Sequence, residues 1–106
     1  MGEREFLVYL DEAQENRYRH RHAWEQKQII EFRIQYEALI EGVWRAIVRY
    51  DSAHGQPHRD ILHPDGSQTK QMFPYYTNAE VLTIGQRDIM EHWPDYRAAY
   101  EKEMGQ

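Results

Sequence analysis

The sequence predicts an α+β domain, an antiparallel β-sheet of hairpins with a C-terminal α-helix packed on one face. Three observations predict it. Ile30, Phe32, Ile34, Tyr36, Ala38 and Ile40 alternate with Glu31, Arg33, Gln35, Glu37 and Leu39, the period of a strand with one buried face. Glu41-Gly42 then offers a tight turn, and residues 43–50 alternate again, completing a hairpin. Thr77 and Glu80 form a capping box, after which Val81, Leu82, Ile84, Ile89, Trp93 and Tyr96 recur at helical spacing with Met90 alongside.

The remaining elements follow in chain order. Residues 5–10 (EFLVYL) are rich in β-formers and fit a first strand. Residues 11–27 are polar. Within them Arg17, Arg19 and Arg21 alternate with Tyr18, His20 and His22, which fits an exposed edge strand or extended loop, with a helix through DEAQENRY as the competitor. In the second strong strand the alternation puts Trp44, Ala46, Val48 and Tyr50 on one face and Val43, Arg45, Ile47 and Arg49 on the other. Residues 51–57 hold Asp, Ser, Gly and Pro and read as a loop. Residues 58–63 fit a short strand, Pro64-Asp65-Gly66 a turn, and residues 68–76 a returning strand at an edge, because Pro74 cannot donate to a ladder. Met72-Phe73-Pro74-Tyr75-Tyr76 reads as core under the helix rather than as a partner-facing patch, and Trp44 and Trp93 read as core. Pro94 predicts a kink or break near Trp93, with helix resuming over 95–104.

Composition narrows the classes. The chain of 106 residues is expected to be one domain, 1–106. Its formal charge is −5, and neither half is basic, so a strongly basic nucleic-acid protein is excluded as the default and phosphate binding has to rest on a local patch. No apolar run approaches the length of a membrane span. The start MGEREFLVYL lacks the pattern of a signal peptide or a myristoylation site. With no Cys there is no disulfide, thiolate nucleophile or Cys-type zinc site. A cytoplasmic location and no membrane association are expected. The abundance of aromatics, with 8 Tyr among them, supplies large buried areas for a small chain and leaves amphipathic rings for water, a ligand or a partner, a homodimer included.

Chemistry concentrates in residues 49–63, R-Y-D-S-A-H-G-Q-P-H-R-D-I-L-H, which hold half of the 6 His. Loops held by a rigid sheet commonly carry binding and catalysis. One reading is metal-free acid–base chemistry on a phosphodiester. His54 and His58 titrate near neutrality and serve as base and acid. Arg49 or Arg59 holds the phosphate through its guanidinium fork, and Asp51 or Asp60 orients an imidazole. RNA supplies its own 2′-hydroxyl as nucleophile. A second reading is a divalent metal held by His58, Asp60 and His63 (H-x-D-x-x-H), with His54 able to complete the set. A third is structural. Asp51 and Ser52 form a turn, His63 caps the next one, and Arg49 and Arg59 pair with Glu37 or Asp60 across the sheet. Arg17, Arg19 and Arg21 form a local basic run suited to a nucleic-acid backbone, or else a solvated edge kept soluble by charge.

The string Arg49-Tyr50-Asp51-Ser52-Ala53-His54-Gly55-Gln56-Pro57-His58, placed after a hairpin, resembles the His-containing core of TumE-like toxins, small bacterial members of toxin–antitoxin pairs. It also resembles small bacterial domains carrying R-Y-D-x-A-H-G-x-x-H-R-D. The resemblance covers the middle of the chain and implies RNA cleavage with a cognate antitoxin as partner. Arg49, Tyr50, Asp51, His54 and His58 carry over. Ser52 stands where Asn is common, and Asp60 and His63 replace a denser His run.

The expectation is therefore a toxin-like RNA-cleaving enzyme using His54 and His58, with no cofactor. The alternatives are a non-enzymatic interaction module and a small domain that binds a divalent metal. On the enzymatic reading, His58→Ala is expected to abolish activity while the fold survives.

Overall fold

A computed structural model describes residues 1–105, with the side chain of His54 left aside. The strands are β1 (Gly2–Tyr9), β2 (Asn16–Glu25), β3 (Gln28–Ile40), β4 (Val43–Asp51), β5 (His58–Leu62) and β6 (Gln68–Met72). They form one antiparallel sheet in the order β1-β2-β3-β4-β5-β6, so each strand pairs with its neighbour in sequence. A single helix, α1 (Asn78–Met104), follows and packs on β3 and β4. The α+β architecture is the one the alternation predicts. Among the described residues no helix is long and apolar enough to cross a membrane.

The polar N-terminal third is strand. The competing helix does not form, because Asp11 turns the chain. Its Oδ1 accepts from the N–H groups of Glu15 and Asn16, both at 3.0 Å, and Oδ2 accepts from the Asn16 amide at 3.1 Å. Such local side-chain bonds compete with helix. The run from Arg17 to His22 is the middle of β2, and β2 is an inner strand. The edge is β1. Gln26 and Lys27 make the β2–β3 turn at φ 50° and 67°, a left-handed pair without the glycine that advertises such a turn. Glu41 and Gly42 repeat it at 54° and 74° between β3 and β4.

The core side of the sheet presents Phe32, Ile34, Tyr36, Ala38 and Ile40 from β3, with Val48 and Tyr50 from β4. Alternation in β4 breaks at a bulge. Tyr36 pairs with Val48, but Glu37 pairs with Ala46, which leaves Ile47 as the extra residue. Trp44 is therefore not on the face of Val48 and Tyr50. It pairs with Leu39 on the opposite face, where the Arg17 guanidinium lies 3.6 Å from its ring centre. β6 ends at Met72, before Pro74. Of the aromatic run beyond it only Phe73 packs inward, near Tyr50, while Tyr75 is 94% exposed.

The capping box of α1 is formed. Glu80 N–H donates to Thr77 Oγ1 at 3.1 Å, and Thr77 N–H donates to Glu80 Oε1 at 2.9 Å. Pro94 does not break the helix. The carbonyl that loses its donor belongs to Met90, and both residues lie on the exposed side, where water takes the donor's place. Val81, Leu82, Gly85, Ile89 and Tyr100 turn inward. Arg97 ties the second half of the helix to the sheet by donating to Asn16 Oδ1 and the Leu39 carbonyl, each at 3.0 Å.

At Gly85 the helix lies close against Tyr50 of the sheet. A Cβ there would meet Tyr50 Cγ at 2.7 Å. Ala ordinarily favours a helix over Gly by about 1 kcal/mol. Here the clash decides the sign. Gly85→Ala is expected to lower unfolding stability by about 1–3 kcal/mol in a denaturant titration. A gain in stability would show that the helix does not sit at this distance.

Candidate functional site

Strand alternation sorts the sequence-predicted residues onto two faces. Cross-strand pairing places Arg49 beside Asp60 and Asp51 beside His58, on the face away from α1. Arg17, Arg19 and Arg21 of β2 and Arg33, Gln35 and Glu37 of β3 share that open face. Arg59 pairs with Tyr50 and turns the other way. It donates to the Tyr96 hydroxyl at 2.9 Å, within a network in which Tyr50 and Tyr96 both donate to Asp88 Oδ2. Burial, followed by the bond to Asp88, pushes the Tyr96 hydroxyl up to about 12 and the Tyr50 hydroxyl higher still. Arg59 thus fastens β5 to the helix and does not join the other candidates. Neither does His63. Its Nδ1 lies 2.9 Å from Glu103 Oε2 and its Nε2 lies 2.7 Å from Thr69 Oγ1. The set His58, Asp60 and His63 is not assembled, and among the described residues no group of three His, Asp or Glu is placed to hold a metal ion.

The residues brought together are Asp51, His58 and Asp60. The His58 Nε2 lies 3.0 Å from Asp51 Oδ1 and 3.2 Å from Asp60 Oδ2. Its Nδ1 lies 3.1 Å from the Gln56 carbonyl. All of these partners are hydrogen-bond acceptors. Two further cations close the cluster, Arg33 at 3.3 Å from Asp51 Oδ2 and Lys70 at 3.2 Å from Asp60 Oδ1. His58 is 3% exposed and both carboxylates 4%. Removing the imidazole leaves two buried carboxylates short of their central donor, a change that typically costs several kcal/mol. His58→Ala therefore does not separate chemistry from folding, contrary to the expectation from sequence. The side chain of His54 lies outside the described residues.

The arginines of β2 and β3 on the open face are matched by acids. Arg17 and Arg19 both reach Glu37, at 2.7 and 3.1 Å. Burial pushes the Glu37 carboxyl up, but hydrogen bonds from Arg17 and Gln35 with the Arg19 charge hold it below the usual carboxylate range. Arg49 donates to Gln35 at 2.7 Å, not to Glu37 or Asp60. Arg21 pairs with Glu3 at 2.9 Å and Glu31 at 2.8 Å. The basic run of the sequence is thus a set of cross-strand ion pairs, and it offers no free cationic strip.

One concavity lies within this pattern. An open cleft of about 480 Å³ lies where β2, β3 and the end of β4 meet the turn at Ala53–Gly55. Arg21, Glu31, Arg33, Asp51 and Ser52 are its polar lining, with Ile30, Phe32, Ala53 and Gly55 between them. Arg21 and Arg33 are direct cross-strand partners, half-exposed and of like charge. Asp51 connects cleft and cluster, since one carboxylate oxygen takes Arg33 and the other takes His58. The Ser52 hydroxyl is occupied with the Phe32 backbone at 2.9 Å. The sequence reading passed over Arg33, although it stands on the polar side of the clearest alternation in the chain.

The whole length, residues 1–106, matches DUF7718. The chain belongs to this family. It is described as a domain of unknown function, so membership brings no activity with it. No curated protein and no solved structure matches the chain.

A second histidine pair lies on the core side of β2, beyond the reach of α1. His20 Nε2 is 2.7 Å from His22 Nδ1, and Phe6 stacks on the His20 ring at 4.3 Å. Burial, then the His22 and Arg4 charges, lowers the His20 imidazole to about 4. Between pH 6.5 and about 4 the unfolded chain binds a proton that the folded chain refuses, so stability falls as pH falls through that window. The expected loss is about 3 kcal/mol at most. Urea titrations at pH 7 and pH 5 should show it, with a smaller difference for His20→Gln. An equal difference in the variant would remove His20 from the account.

Proposed function

We propose that this protein is a small RNA-directed enzyme of the toxin type, cleaving at a phosphodiester seated between Arg21 and Arg33. Two half-exposed arginines, cross-strand partners that both line the cleft, carry this reading. Each guanidinium suits phosphate oxygens, and a substrate phosphate competes with the carboxylates that now hold them, Glu3 and Glu31 for Arg21 and Asp51 for Arg33. Asp51, fixed by His58 behind it, keeps the Arg33 guanidinium aimed at the cleft. The resemblance of residues 49–58 to TumE-like toxins supports the same class and proposes a cognate antitoxin as protein partner.

Proton transfer falls to His54, from the turn whose Ala53 and Gly55 line the cleft. Its imidazole takes the proton of the 2′-hydroxyl, and the 2′-oxygen attacks phosphorus. The 5′-oxygen departs and receives that proton back from the imidazolium. The products are a 2′,3′-cyclic phosphate and a 5′-hydroxyl. Arg21 and Arg33 stabilise the charge that builds on the phosphate oxygens in between. His58, retracted behind Asp51, holds charge in place and touches no substrate.

The untagged protein is expected to cut a mixed RNA pool in the presence of EDTA, to leave cyclic phosphate ends, and to spare an oligonucleotide lacking 2′-hydroxyls. His54→Ala and Arg21→Ala should each lower the rate by about 100-fold or more with melting temperature preserved. Full activity in His54→Ala, or cleavage of the deoxy substrate, contradicts the reading.

A further inference from the structure

We propose that the outer edge of β1 is a homodimer interface, in which two copies pair antiparallel about Leu7 and join their sheets. The backbone decides which groups are on offer. Leu10 N–H donates inward to the Asn16 carbonyl at 2.8 Å. Alternation then turns the N–H and C=O of Phe6 and Val8 toward β2, and those of Glu3, Glu5, Leu7 and Tyr9 outward. The two edges of the sheet are not guarded alike. β6 is short, carries Lys70 and is bracketed by Pro64 and Pro74, devices that blunt an edge. β1 is 8 residues long and has no Pro, Lys or bulge on its outer side. Its exposed apolar side chains, Leu7 at 39% and Tyr9 at 42%, stand on the open face.

The sequence of β1 selects a second copy as the occupant. A two-fold axis normal to the sheet pairs residues that share a face. Centred on Arg4, it sets Arg4 against itself and Glu3 against Glu5. Centred on Glu5, it opposes two carboxylates. Both are unfavourable like-charge pairs. Centred on Leu7, it sets Leu7 on Leu7 and Phe6 on Val8, while Glu5 meets Tyr9 and Arg4 meets Leu10. From Leu7 out to the pair of Arg4 with Leu10 no like charges meet, and apolar side chains meet at the centre on both faces, whereas centring on Phe6 also avoids like charge but sets Glu5 against Leu7 and Arg4 against Val8. Phe6 and Val8 are half-buried in the single chain because α1 covers β3 and β4 and stops short of β1. A second β1 completes their cover. It also continues the open face, so that the clefts of both copies lie on the same side of the joined sheet. This interface does not depend on the RNA reading.

Sedimentation equilibrium of the untagged chain over a wide concentration range tests it. The wild type is expected to reach twice the mass of one chain. Leu7→Pro removes an outward N–H and leaves the ladder to β2 intact, and Leu7→Lys places a charge at the two-fold axis. Each should weaken dimerisation by at least about tenfold. Leu7→Lys should keep the circular dichroism spectrum of the wild type, which holds the test open if the proline variant loses its fold. In amide exchange, Leu7 N–H should gain protection as concentration rises, whereas Phe6 N–H is protected throughout. A wild type that stays at single-chain mass overturns the proposal. A dimer that both variants leave unchanged, or one in which Leu7 N–H stays open, overturns it equally.

Discussion

Asp51 is a carboxylate at 5% side-chain exposure, held from three directions. Its Oδ1 faces His58 of β5 and accepts from the Ala53 N–H of the following turn, both at 3.0 Å. Its Oδ2 faces Arg33 of β3 at 3.3 Å. A buried carboxylate without such partners would cost several kcal/mol, so these contacts constrain one another. They fix where β4 ends, where the turn at Ala53–Gly55 sits against the sheet, and how β5 returns beside β4. The cleft exists because of that arrangement. The His58 imidazole extends it to Asp60 and thence to Lys70 of β6, so the second half of the sheet is also laid down around this charge.

The two faces of the sheet divide the work. On the core side, α1 is seated by apolar packing on Tyr36, Val48 and Tyr50, by the close approach at Gly85, and by two polar fasteners. Arg97 binds the end of the β2–β3 region, and the Arg59–Tyr96–Asp88–Tyr50 network binds β4 and β5. On the open side nearly every cation has a carboxylate within reach. An acidic protein with this face has little long-range attraction for a nucleic acid. On the proposed reading, recognition of a phosphate depends on local geometry at Arg21 and Arg33, which line the cleft together.

Alternation and turn chemistry made most of the fold legible. The 30–40 run, Glu41-Gly42, Pro64-Asp65-Gly66 and the Thr77/Glu80 capping box each appear where their local physics places them. The misreadings have identifiable causes. The β2–β3 turn uses Gln26 and Lys27 in a conformation for which neither residue is a signal. The bulge at Ile47 reverses the faces within β4, which no period-two count anticipates, and it moved Trp44 out of the core. Of the site, the residue types in 49–63 were legible but their directions were not. Strand parity alone separates Arg59 from His58 and Asp60, and the start of β5 at His58 had to be known before parity could be applied. His58 was read as a catalytic group because histidines titrate near neutrality. It is buried between two carboxylates, and burial is not written in the local sequence.

The account rests on Asp51 and His58 acting as one unit that links the cleft to the sheet. A double-mutant cycle on unfolding free energy, with Asp51→Asn, His58→Gln and the pair together, tests it most directly. Residues in one buried network are expected to show a coupling of about 1 kcal/mol or more, the double variant being less damaged than the sum of the singles. Additivity within about 0.5 kcal/mol would contradict the claim and would leave the cleft without the support assigned to it here.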